Sequence, residues 1–149
     1  MGKAIADYEI GANAHAEFIP DAVGTGVWED ISLAAAGVTL TSGEFMLAQT
    51  MGGTEFKLVA GAGDGTNGLV TTTGPVTVLI KTSPTSGGTF DDVVLTEEIT
   101  ADTTFAEGAD LITYIPPREQ TECYAKVFVT VTTDTLTTYS LDAFVVGVC

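Results

Sequence analysis

His15 is the only histidine of the chain, so a Ser–His–Asp or Cys–His site would have to be built around it. It falls in residues 7–16, where neither a strand period nor a helical period is kept, and a catalytic base needs a rigid support. A single histidine also rules out a three-histidine metal centre. The two thiols, Cys123 and Cys149, each lack a neighbouring Cys or His and match no zinc spacing. Cys123 reads as a small, half-buried hydrophobe opening a strand-like run. Free thiols are the expectation, with a 123–149 bridge as the alternative.

Acids recur as adjacent pairs, at Glu29-Asp30, Asp91-Asp92 and Glu97-Glu98. Glycosidic chemistry needs two carboxyls facing one another across a cleft. Neighbours on a strand point to opposite faces, so an adjacent pair cannot supply that alone. The pairs read as solvated strand edges, where charge discourages edge-to-edge pairing. The spacing Gly63-x-Gly65-x-x-Gly68 matches a dinucleotide fingerprint. That chemistry requires a helix N-terminus aimed at a pyrophosphate. The next residues are Leu69-Val70-Thr71-Thr72-Thr73, a strand-like run, so a turn is the expectation. The same loop offers Asp64 and Asn67 as oxygen ligands, but one carboxylate and no closing Glu fall short of a calcium loop. No catalytic residue, cofactor or metal ligand is therefore expected.

Charge narrows the partners. The 149 residues hold 5 Lys plus Arg against 20 Asp plus Glu, a formal net charge of −15. Lys3, Lys57, Lys81, Arg118 and Lys126 are scattered. Without a basic footprint, neither nucleic acid nor an anionic membrane surface is an expected partner. No run approaches the roughly 18 apolar residues of a membrane span. The first residues lack the apolar core of a signal peptide. Arg118, the only arginine, is a candidate anchor for a partner's carboxylate, although Glu119 and Glu122 are nearer to hand.

The elements that must position these groups are strands. Hydrophobic residues make up 45% of the chain, enough for a core, and the 17 glycines supply turns. Thr and Val dominate the regular segments and suit a pleated surface. Strand candidates include residues 38–41, 44–48, 55–59, 69–73, 76–81, 93–96 and 110–115, and residues 32–36 suit a short helix or a strand. In residues 124–132, Ala125, Val127, Val129 and Val131 share one face. In residues 139–145, Tyr139, Leu141, Ala143 and Val145 do the same. These two runs predict an antiparallel hairpin turning at residues 134–137. Residues 1–30 keep no period and read as an extended N-terminal arm, resting on its own domain or on a neighbouring subunit. Its apolar anchors, Phe18, Ile19 and Trp28, are with Arg118 the candidate partner contacts. The long connections near residues 49–54 and 83–92 favour crossed strands over a meander. The expected fold is all-β: a jelly-roll-like antiparallel β-sandwich over residues 31–149 preceded by the arm.

Three stretches carry a family likeness. One is Val76-Thr77-Val78-Leu79-Ile80-Lys81-Thr82-Ser83 with the Gly-rich loop to Phe90-Asp91-Asp92-Val93. Another is Pro116-Pro117-Arg118 leading into Cys123-Tyr124-Ala125-Lys126-Val127. The third is Tyr139-Ser140-Leu141-Asp142-Ala143-Phe144-Val145-Val146. The order of these features resembles the capsid cement (decoration) proteins of tailed bacteriophages, of the kind typified by the Bbp16 family. The resemblance implies a non-enzymatic jelly-roll subunit with no catalytic residues. It would be a homo-oligomer (dimer or trimer) on the capsid exterior of the virion, tying neighbouring major capsid proteins together. Two other classes compete. A ligand- or carbohydrate-binding sandwich would show a platform of aromatic residues, whereas Trp28 and the 4 tyrosines are scattered. A hydrolase on a β scaffold would need a nucleophile–base pair that the chain does not mark.

Overall fold

The computed structural model describes residues 14–23, 26–33, 35–47, 54–117 and 124–148. They form strands β1 (Ala14–Phe18), β2 (Ile31–Ser32), β3 (Thr39–Thr41), β4 (Phe45–Met46), β5 (Thr54–Ala60), β6 (Leu69–Val70), β7 (Val76–Ser83), β8 (Asp92–Ile99), β9 (Thr104–Phe105), β10 (Asp110–Tyr114), β11 (Tyr124–Val131) and β12 (Ser140–Val148). No helix occurs among the described residues. One sheet has the order β1-β12-β5-β10, with β2 also on β12. The second has the order β3-β11-β7-β8, with β4 also on β11. A small pair, β6 with β9, stands apart.

The pairings are nested. β7 pairs with β8, β5 with β10, β3 with β11, and β1 with β12, each antiparallel and each enclosing the one before in the sequence. Two pairings that do not nest, β12 with β5 and β11 with β7, knit each sheet together. Eight principal strands wound in this order make a jelly roll, so the expected all-β sandwich is the observed one.

Period-two alternation builds the core. Val76, Val78 and Ile80 of β7 and Ala125, Val127, Val129 and Val131 of β11 are buried on one inner face. Phe56, Leu58 and Ala60 of β5, with Leu141 and Ala143 of β12, are buried on the other. Phe45 of β4 stacks across the gap on Phe56, with ring centroids 5.9 Å apart. Each such aliphatic side chain contributes roughly 1.5–3 kcal/mol when taken out of water.

Two expectations are corrected. β11 and β12 do not form a hairpin; they lie in opposite sheets, and residues 132–139 carry the chain across. Alternation marks the buried side of β11 and the core-facing Leu141 and Ala143 of β12, but it does not show that β12 is covered on both faces, nor which sheet a strand joins. The boundary at residue 30 is not structural either. β1 runs along β12 from Ala14↔Val148 to Phe18↔Phe144, and β2 pairs with Ser140 and Leu141. From Ala14 onward the described part of the arm is sandwich, and His15 lies on a strand. Residues 1–13 lie outside the described residues.

β8 is a sheet edge of 8 residues, and its Asp92, Glu97 and Glu98 are exposed. Edge charges of this kind block a further strand from adding. A triple Asp92→Thr, Glu97→Thr, Glu98→Thr variant is expected to self-associate, seen as a rise in light-scattering mass with concentration relative to the unchanged chain. An unaltered mass would show that these charges have no such role.

Candidate functional site

The most strongly held polar group is Asp134, in the crossing between β11 and β12. Its carboxylate accepts four hydrogen bonds: the Thr72 amide at 2.8 Å, the Thr73 amide at 2.8 Å, the Thr72 hydroxyl at 2.8 Å and the Thr73 hydroxyl at 2.7 Å. The amide of Thr72, then the hydroxyl and amide of Thr73, push its pKa well below the usual carboxylate range. Thr71 extends the cluster, its hydroxyl donating to the Thr100 carbonyl at 2.7 Å. This is why the run after Leu69 stops being a strand at Val70: the next three residues are committed to loop hydrogen bonds. A carboxylate so fully satisfied is neither a base nor a free ligand, and it pins one loop to another.

Asp64 works alike on a smaller scale. It accepts the amides of Thr66 and Asn67, both at 2.8 Å, and the Tyr139 hydroxyl at 3.3 Å. The Asn67 and Thr66 amides hold its pKa below the ordinary value. Gly63 sits at φ +67°, where a Cβ would run into the Asn67 carbonyl oxygen. The Gly63–Gly68 pattern is thus a turn closed by its own aspartate, with β6 after it, and its one carboxylate is already engaged. Among the described residues no group of three His, Cys, Asp or Glu side chains is placed to hold a metal.

Glu44 pins a third loop. It accepts the Ser86 hydroxyl and the Gly87 amide, the latter at 2.7 Å, so the β7–β8 connection is tied to the start of β4. These bonds, with a smaller contribution from nearby Lys126, lower its pKa. Lys126 lies 4.8 Å from the Phe90 ring centroid, and Lys81 lies 4.9 Å from that of Phe128. Both rings carry an ammonium group over one face, an arrangement unlike an open aromatic platform for a sugar.

The candidate binding site is a cleft of about 550 Å³ at one corner of the sandwich. It is lined by Glu17, Phe18, Ile19 and Pro20 on one side and by Glu44, Phe45 and Met46 on the other, with Gly26, Val27 and Val145 between. Beside it the chain folds back through a Pro20↔Val27 bridge, and Asp21 bridges to Ser42. Met46 is 53% exposed and Val27 44%, and Val23, inside the same bridged turn, is 80% exposed. Val27 and Met46 are two of the six exposed large hydrophobic residues described, and both line the same cleft.

Of the sequence-derived contacts that the structure describes, Phe18 is the one that is not fully buried. It is half-buried, lines the cleft, and meets Phe144 edge-on at 6.1 Å. Ile19 is 1% and Trp28 2% exposed, so both are core residues, and Ile19 also borders the cleft. Backbone bonds hold them there: Trp28 N–H donates to the Ile19 carbonyl at 2.8 Å, and Ala143 N–H donates to the Trp28 carbonyl at 2.9 Å. Arg118, Cys123 and Cys149 lie outside the described residues. Val27, Glu44 and Met46 are contributors that sequence reasoning missed. The exposed position of a hydrophobe is what distinguishes Val27 and Met46, and that is a property of the fold.

The fold and site define a jelly-roll sandwich with loops stapled by carboxylates and an apolar corner cleft. No family model, no curated protein and no solved structure matches the chain.

Removing the Asp134 charge tests the staple. Asp134→Asn is expected to cost about 1–3 kcal/mol at pH 7 in denaturant unfolding, since it leaves donors poorly paired. The folded-state pKa is depressed. The stabilisation is therefore complete above the unfolded value near pH 4 and is lost as pH falls through the folded value. The gap between wild type and variant should narrow below about pH 3. A gap independent of pH would point to packing alone.

Proposed function

We propose that this protein is a non-enzymatic structural subunit of a tailed-phage virion. It binds the outer surface of the icosahedral capsid, as a homo-oligomer, and cements neighbouring major capsid proteins. The observation that carries the reading is the cleft whose lining includes the exposed apolar side chains of Val27 and Met46, on a chain rich in threonine and carboxylate. A patch of this kind on a polar surface suits a protein partner. The polar groups with the strongest geometry, Asp134, Asp64 and Glu44, are spent on fixing loops, which suits a rigid clamp.

Two further features support it. The three sequence stretches that resemble cement proteins include β7 with the start of the edge strand β8, the first residues of β11, and most of β12; β7, β11 and β12 are interior strands of their sheets. The net charge of −15 repels packaged nucleic acid and suits a place on the exterior.

The test is particle robustness. Capsids assembled without the protein should release their DNA at a lower temperature than capsids that carry it, and adding the purified chain back should restore the difference. Equal release temperatures with and without the protein would sink the reading.

A further inference from the structure

We propose that the corner cleft receives an extended segment of another protein, apolar on alternate residues and carrying a basic side chain, which adds as a strand along the edge of β1. This deepens the cement reading by naming the chemistry of the partner segment, and rests on that reading for the partner's identity alone.

The lining of the cleft indicates an edge. Glu17 and Phe18 are adjacent residues of β1, and Phe45 and Met46 adjacent residues of β4; Ile19 and Pro20 follow β1 and Glu44 precedes β4. Side chains alternate across a strand, so one face of a strand can offer only every second residue. Two adjacent residues of one strand line the same cavity where that cavity follows the strand's edge and meets its backbone. Among the described residues β1 pairs only with β12, and β4 pairs only with β11. The cleft is therefore bordered by two strand margins, one from each sheet. An edge strand presents alternate amides and carbonyls away from its one neighbour, and an extended peptide satisfies them.

The side chains choose the occupant. Phe45 and Val145 give an apolar floor, and Val27 and Met46 an apolar rim. Such pockets select alternate apolar side chains of an added strand. Two carboxylates border the same space, Glu17 and Glu44. Glu44 is bound by Ser86 and Gly87, whereas Glu17 is exposed on the edge strand. Glu17 is thus the group that reads the charge of the incoming segment. With a net charge of −15 behind it, an acidic segment is repelled and a basic one is favoured.

The experiment uses the full chain as bait for a displayed library of random peptides, followed by amide-shift mapping with the selected peptides. Enriched peptides should alternate apolar residues and contain Lys or Arg, and should shift the amides of β1 and β4. Met46→Asp and Val27→Asp should each weaken them roughly tenfold, the scale of a buried anchor. Both residues are exposed, and unchanged thermal melts would verify that the variants fold. Glu17→Lys should turn selection toward acidic peptides. The proposal falls if no sequence is enriched, if the shifts map elsewhere, or if Glu17→Lys leaves the charge preference intact. It also falls if Met46→Asp changes the mass of the free protein, because a second copy would then occupy the cleft. Peptide binding with no effect on particle robustness would sink only the capsid reading. Particle robustness with no selected peptide would sink only this one.

Discussion

Four consecutive residues of β12, Leu141 to Phe144, are shut away from water, which requires material packed on each face of the strand. Leu141 and Ala143 face the core between the sheets. Asp142 and Phe144 point the other way and are no less buried. Phe144 is met edge-on by Phe18, and the Asp142 carboxylate accepts the Asp30 amide at 2.7 Å. To deliver that amide the backbone of Asp30 adopts φ +53°, a region few non-glycine residues enter. The chain between β1 and β3 is thereby bound along β12 at several points, through Ile19, Trp28, Asp30 and β2. Removing any of these ties would expose a strand that cannot be exposed cheaply.

The loops obey a common rule. Each of three connections is fixed by one carboxylate that accepts backbone amides: Asp134 for residues 72–73, Asp64 for its own turn, Glu44 for the β7–β8 connection. In a chain with few cations, acids cannot be neutralised mainly by ion pairs. Lys57, with Glu55 and Asp110 both at 3.4 Å, makes the two ion pairs seen among the described residues. At Asp134, Asp64 and Glu44 amide and hydroxyl donors take the place of cations, and because they carry direction as well as partial charge they fix the loops they belong to.

How much of this was legible in the sequence depends on range. The Val and Thr alternation of residues 124–132 marks its buried face correctly, because period-two patterning is a local consequence of one-sided burial. The sheet assignment of β11 and β12 was not legible, since two strands in opposite sheets show the same pattern as two in a hairpin. Trp28 reads as an anchor for a partner because nothing near it has a period, yet its partners are Ile19 and Ala143, the latter far along the chain. β9, at Thr104–Phe105, is too short to leave a signal. The cleft was invisible for a similar reason. Glu17 and Met46 are ordinary residues taken singly, and they become neighbours because β1 and β4 are margins of two different sheets.

The nested pairing governs how the molecule is put together and taken apart. β7 and β8 are separated only by residues 84–91, less chain than any enclosing pair spans, so they meet with the least loss of chain entropy. Every later pair encloses an earlier one, and its closure is made inexpensive by the closure within. Most native contacts nonetheless join distant positions, which makes a slow folder. The outermost pair, β1 with β12, closes the longest stretch of chain and so carries the largest loop entropy against it. A segment paired with β1 would bind only the closed form of that pair, and so would stabilise the whole sandwich through the one strand it touches.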